Sequence, residues 1–175
     1  MTTDLSREDQ PQSDFKSIFE EFILSKKQLK VVNVASCSKN CIPNSASKML
    51  VDVIEPNRLY FLDYRFTQTF SNIHENPVVS VSFLDDDNFT GYRMTGSCQM
   101  LTAGEEFEAA QKSWEKKLIS YEADRILKRM TGRYSARDAE NHLPKDFIVM
   151  KVLAKEASTI KPDRVLRAFN DEHKS

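Results

Sequence analysis

Arg58-Leu59-Tyr60-Phe61-Leu62-Asp63-Tyr64 leads through Arg65-Phe66 into Thr67-Gln68-Thr69-Phe70-Ser71-Asn72-Ile73-His74-Glu75-Asn76-Pro77, and then into Val78-Val79-Ser80-Val81-Ser82-Phe83-Leu84. The first run is short, apolar and aromatic, which favours a strand. Thr67 to His74 predicts one or two helical turns, opened by a hydroxyl residue and stopped by Pro77. Val78 to Leu84, rich in valine, is a further strand.

On the N-terminal side, Lys30 to Ser36 and Ser45 to Ile54 are rich in β-branched residues. Ser38-Lys39-Asn40-Cys41-Ile42-Pro43-Asn44 separates them as a turn, so the two read as paired strands. Glu55-Pro56-Asn57 punctuates the chain before the next strand. Phe15, Ile18, Phe19, Phe22 and Ile23 recur at helical spacing, with Asp14 placed to cap the first turn. Residues 1–12 are polar and read as a loose tail.

On the C-terminal side, the acidic turn Asp85-Asp86-Asp87-Asn88 precedes Arg93 to Leu101. There Met94, Gly96, Cys98 and Met100 alternate with Arg93, Thr95, Ser97 and Gln99, the pattern of a half-buried strand. Thr102-Ala103-Gly104-Glu105 has capping-box spacing, and Phe107, Ala110, Trp114 and Leu118 follow on one helical stripe. Tyr121 to Met130 reads as a second helical stretch, and Phe147 to Ala154 as the last clear strand, with Thr159-Ile160 as its extension. Short strands without regular strand–helix alternation predict an antiparallel, mainly β fold with helical additions. A closed or partly closed barrel is favoured because closure pairs the backbone groups of open sheet edges. One domain over residues 13–161 and a C-terminal tail over 162–175 complete the expected organisation.

Composition narrows the function. Among 175 residues, 25 Lys plus Arg balance 26 Asp plus Glu, which offers no whole-molecule attraction to nucleic acid or to an anionic membrane. The cluster Arg125, Lys128, Arg129 and Arg133 shares its segment with Glu122 and Asp124 and reads as a solvated helix face. No apolar run approaches the length of a bilayer span and no signal-peptide pattern opens the chain, so a cytoplasmic protein is expected. Cys37, Cys41 and Cys98 form neither a disulfide framework nor a zinc ligand set, and His74, His142 and His173 lie in unlike contexts. Gly91 and Gly96 lack the spacing of a dinucleotide or phosphate loop.

Four local patterns occur in order. They are Pro43-Asn44-Ser45-Ala46-Ser47-Lys48, the Arg58–Tyr64 run, Gln68-Thr69-Phe70-Ser71-Asn72-Ile73-His74-Glu75-Asn76-Pro77, and Gly91-Tyr92-Arg93-Met94-Thr95-Gly96. Together they resemble the pyridoxamine 5'-phosphate oxidase-like family of FMN-binding proteins. The resemblance implies an antiparallel split β-barrel of the FMN-binding type, forming a homodimer with FMN at the subunit interface. It also implies an FMN-dependent oxidoreductase acting on a small-molecule substrate. The alternative left open is a non-catalytic module for flavin or another phosphorylated ligand.

Carried onto this sequence, the resemblance places Ala46, Ser47, Lys48 and Met49 along the flavin ring. Leu62 and Asp63 border the ribityl chain, and Thr67, Gln68 and Thr69 meet the phosphate. Gln68 stands where the family pattern has Lys, so Arg65, Lys48 or Arg93 is left to supply a cation. The residues themselves allow simpler readings. Thr67 is a favoured helix cap, Lys48 fits an outward strand lysine, and Trp114, the remaining candidate contact, fits core packing on its helical stripe.

Overall fold

A computed structural model describes residues 14–25, 31–85, 89–130, 147–161 and 164–169. The proposed tail at residues 1–12 lies outside these. The described chain holds helices α1 (Phe15–Ser25), α2 (Gln68–Glu75) and α3 (Glu105–Met130). Its strands are β1 (Val31–Cys37), β2 (Pro43–Ile54), β3 (Arg58–Asp63), β4 (Val78–Asp85), β5 (Thr90–Leu101), β6 (Ile148–Lys161) and β7 (Arg164–Phe169).

All strand pairs are antiparallel, in the order β3-β2-β1-β4-β5-β6-β7. An additional β3–β6 pairing, with Leu59 opposite Val152 and Phe61 opposite Met150, closes the first six strands into a barrel. Closure explains why β3 and β6 are apolar for most of their length: one face fills the barrel and the other lies under a helix.

Two apolar clusters result. Val32, Val34, Leu50, Phe61, Val81, Met94 and Met150 fill the barrel interior, joined by Phe15, Ile18, Phe19 and Phe22 of α1. Phe22 meets Tyr92 edge to face at 6.0 Å, so α1 stoppers the barrel with its aromatic stripe. Outside the barrel, Val51, Tyr60, Leu62 and Val149 pack against Ala110 and Trp114 of α3.

Two differences from the sequence reading have physical causes, and one expected extension is present. Tyr121–Met130 continues α3 rather than forming a second helix, because no Gly or Pro interrupts Leu118-Ile119-Ser120-Tyr121. Strand β6 includes Thr159-Ile160, as expected, and runs unbroken to Lys161 across a register shift opposite Thr95/Gly96. The stretch expected to be a C-terminal tail contains β7, which pairs Ala168 with Ala157 and Val165 with Ile160. No helix among the described residues is long and apolar enough to cross a membrane.

Candidate ligand pocket at the β3–α2 junction

Strand alternation separates the four consecutive candidates on β2. Ala46 and Lys48 lie opposite Val34 and Val32, on the inward side. Ser47 points outward, where its hydroxyl donates to Asn33 Oδ1 at 2.9 Å. Met49 packs against the outer cluster that contains Leu62 and Trp114. Trp114 is buried there at 3% exposure and meets Tyr121 edge to face at 6.3 Å, so its indole is part of the packing under α3.

Asp63 gathers the inward candidates. Its carboxylate is fully buried and accepts from Lys48 Nζ, from the Tyr64 backbone N–H at 2.8 Å and from Thr67 Oγ1 at 3.0 Å. Thr67 is the N-cap of α2 and accepts from the Phe70 N–H at 3.0 Å. Its hydroxyl is therefore engaged as both donor and acceptor. Gln68 Nε2 donates to Asn72 Oδ1 at 2.7 Å. Thr69, only 1% exposed, accepts from Asn44 Nδ2 at 3.1 Å, and Asn44 and Asn72 both donate to Ser36 Oγ. The structure thus ties Lys48, Asp63 and Thr67 together and sets Gln68 and Thr69 into a polar network that seats α2 on β1 and β2. Of the three cations considered for a phosphate, Lys48 is bound to Asp63, and Arg93 faces Ser158 and Glu156 at 3.3 and 3.6 Å.

Arg65 is placed differently. With Tyr64 and Phe66 it lines a cavity of about 620 Å³, whose other walls among the described residues are Phe107 and Gln111 of α3 together with Phe147 and Ile148 at the start of β6. Asp63 pairs in register with Ile148, so the cavity opens directly beside the Asp63 cluster. Phe107 and Phe147 stand 6.4 Å apart and pack against the outer cluster of Leu62 and Trp114. Arg65 was visible in the sequence as a spare cation, but the aromatic walls come from three distant segments, and no local pattern links Phe66, Phe107 and Phe147.

The α3 wall is fastened by one carboxylate. Glu106 Oε1 accepts from Tyr60 Oη at 2.7 Å, and its two oxygens lie 2.8 and 2.9 Å from Lys151 Nζ. Hydrogen bonding from Lys151 and then from Tyr60 holds the Glu106 carboxyl below the usual carboxylate range. The Tyr60 phenol is pushed up to about 12, chiefly by burial and then by the Glu106 hydrogen bond. On the cavity wall, burial and then the Asp63 charge also push the Tyr64 phenol upward, which keeps it protonated. No group of three or more His, Cys, Asp or Glu side chains able to hold a metal occurs among the described residues.

With this geometry in hand, comparison with known proteins places the chain. The family described as pyridoxamine 5'-phosphate oxidase matches residues 19–161. No curated protein matches. Among solved structures, a protein from Clostridium acetobutylicum related to general stress protein 26 of B. subtilis superposes with a TM-score of 0.63 at 17% identity, covering 91% of this chain and 99% of that one. A pyridoxamine 5'-phosphate oxidase-related, FMN-binding protein of Nostoc punctiforme gives 0.58 at 8% identity, covering 95% and 96%. A heme-binding protein of Mycobacterium smegmatis gives 0.61 at 12% identity, covering 93% of this chain and 60% of that one. At such identities these likenesses carry the split-barrel fold, while the match over residues 19–161 carries the family. The chain belongs to the pyridoxamine 5'-phosphate oxidase family.

Proposed function

We propose that the chain is an FMN-binding flavoprotein that holds the cofactor in the Tyr64–Ile148 cavity, with Arg65 as the counter-charge to the phosphate. The observation that carries this reading is the cavity itself: aromatic walls suited to a planar ring, with one guanidinium at the same opening. FMN has both features. The residues at the start of α2 suit the phosphate less well, because Thr67 Oγ1 and Thr69 Oγ1 are already bonded within the protein. Arg65 takes the role that Gln68 lacks the charge to fill.

Heme, another planar anion, is what one structural neighbour is named for binding. Among the described residues that line the cavity there is no His, Cys or Met, and of these Tyr64 alone has a side chain able to ligate an iron. Flavin is therefore the better fit. Bound FMN would supply an electron-accepting ring that no side chain replaces, and the protein's part is to hold and orient it. This supports an oxidoreductase acting on a small molecule.

Arg65→Ala should lower FMN affinity roughly tenfold while leaving riboflavin nearly unchanged, because only the phosphate meets the guanidinium. Calorimetric titration of both ligands into wild type and variant measures this. Equal losses for the two flavins would move the phosphate away from Arg65.

A second copy of the chain completes the proposal. The outward side of β1, β2, β4 and β5 carries small side chains, among them Ala35, Ser47, Ser80 and Ser82, flanked by the exposed Val31 and Leu84. On α3, Ile119, Ile126, Leu127 and Met130 are exposed as well. Such surface on a small domain favours a homodimer. Light scattering in dilute buffer should give twice the chain mass, and a stable monomer that still binds FMN would contradict it.

A further inference from the structure

Phe66 lines the cavity in a conformation that costs the free protein stability. The residue is 94% exposed. Its backbone sits at φ 72°, the left-handed region, where a bulky side chain is strained and glycine is not. Neither feature helps the protein alone, since the exposed ring gains no burial and the left-handed turn would form more readily with glycine. Phe89 is also exposed at positive φ, but it lies in the connection between β4 and β5, next to Thr90, and is not among the residues lining the cavity. Phe66 instead follows Arg65 at the junction from β3 into α2 and forms part of the cavity wall.

We infer that Phe66 is a stacking platform: a ring held outward by a strained backbone so that it covers one face of a planar ligand in the cavity. This rests on the flavin reading above and adds to it the residue that selects for planarity. Stacking acts on the ring, so it favours FMN and riboflavin alike, whereas Arg65 distinguishes them by the phosphate. The residue also carries an opposition between stability and binding, because relieving the strain removes the platform.

The test uses the full chain with FMN and riboflavin as probes, read by flavin fluorescence, alongside thermal unfolding without ligand. Phe66→Gly should raise the melting temperature by about 2–4 °C, as release of left-handed strain does in a chain of this size. It should also weaken both flavins by roughly tenfold or more, the scale of losing one aromatic stack. Phe66→Ala should lose the same affinity without the gain in melting temperature, since alanine keeps the strain. Phe66→Tyr should bind as wild type does. If wild type binds FMN and Phe66→Gly binds it equally well, the platform is refuted while the flavin reading stands. If Phe66→Gly melts below wild type, the strain argument is refuted. If wild type binds neither flavin, both the reading and the platform fall.

Discussion

Gly96→Ala is expected to cost at least about 3 kcal/mol of folding stability, a large part of what a domain of this size has. A Cβ at residue 96 would stand 1.9 Å from the carbonyl oxygen of Leu153, 2.7 Å from its carbonyl carbon and 2.8 Å from Ala154 Cα. All three are backbone atoms of β6, so no rotamer change relieves the clash. The position is also where the β5–β6 register shifts between Thr95 and Gly96, and the two strands approach closely there. Gly91 on the same strand provides the control. Its added Cβ would meet Ile160 Cβ at 3.6 Å, an ordinary contact, so Gly91→Ala should fold with little loss. Urea unfolding of both variants measures the difference. A Gly96→Ala protein as stable as Gly91→Ala would mean that β5 and β6 do not cross as described.

The second large effect is expected at Asp63. Replacing it with Ala leaves the Lys48 ammonium, whose side chain is 9% exposed, inside the barrel end without its partner. Removing one member of a buried pair costs about 3–5 kcal/mol, because the remaining charge stays desolvated. The same change removes acceptors for the Tyr64 N–H and the Thr67 hydroxyl, so the turn that carries Arg65 and Phe66 loses its anchor. Stability and flavin affinity should therefore fall together in Asp63→Ala. The double variant Lys48→Met/Asp63→Leu should recover much of the stability but not the affinity, since apolar replacement removes the buried charges without rebuilding the turn. Chemical unfolding beside FMN titration separates the two. Full affinity in Asp63→Ala would show that this cluster does not position the cavity.

Much of the barrel was legible because its signals are local. Alternation over Met94, Gly96, Cys98 and Met100 identifies β5 and the face it buries. Thr67 and Pro77 bracket α2, and Thr67 is its N-cap. Closure was legible as a tendency, but the β3–β6 pairing joins residues nearly a hundred positions apart and only folding brings it about. The missed β7 begins at Arg164, soon after Lys161-Pro162, a pair that reads in the sequence as an end signal.

The site was less legible for a related reason. The family pattern runs over consecutive residues, Ala46 to Met49 and Thr67 to Thr69. A strand turns consecutive residues to opposite faces, and the first turn of α2 puts Thr69 into the interior. The Lys48–Asp63 pair joins two strands, and neither strand alone predicts that a lysine will be buried. The cavity needed Phe66, Phe107 and Phe147 to converge from a turn, a helix and a strand start. Only the Tyr64-Arg65-Phe66 triplet, a cation between two aromatics, could have marked it in advance.

Whether the cavity selects FMN can be read by native mass spectrometry of the full chain incubated with FMN, riboflavin and heme in competition. One FMN should be retained per chain in preference to the other two, and Arg65→Ala should lose that preference over riboflavin. Retention of heme, or of no flavin at all, would contradict it.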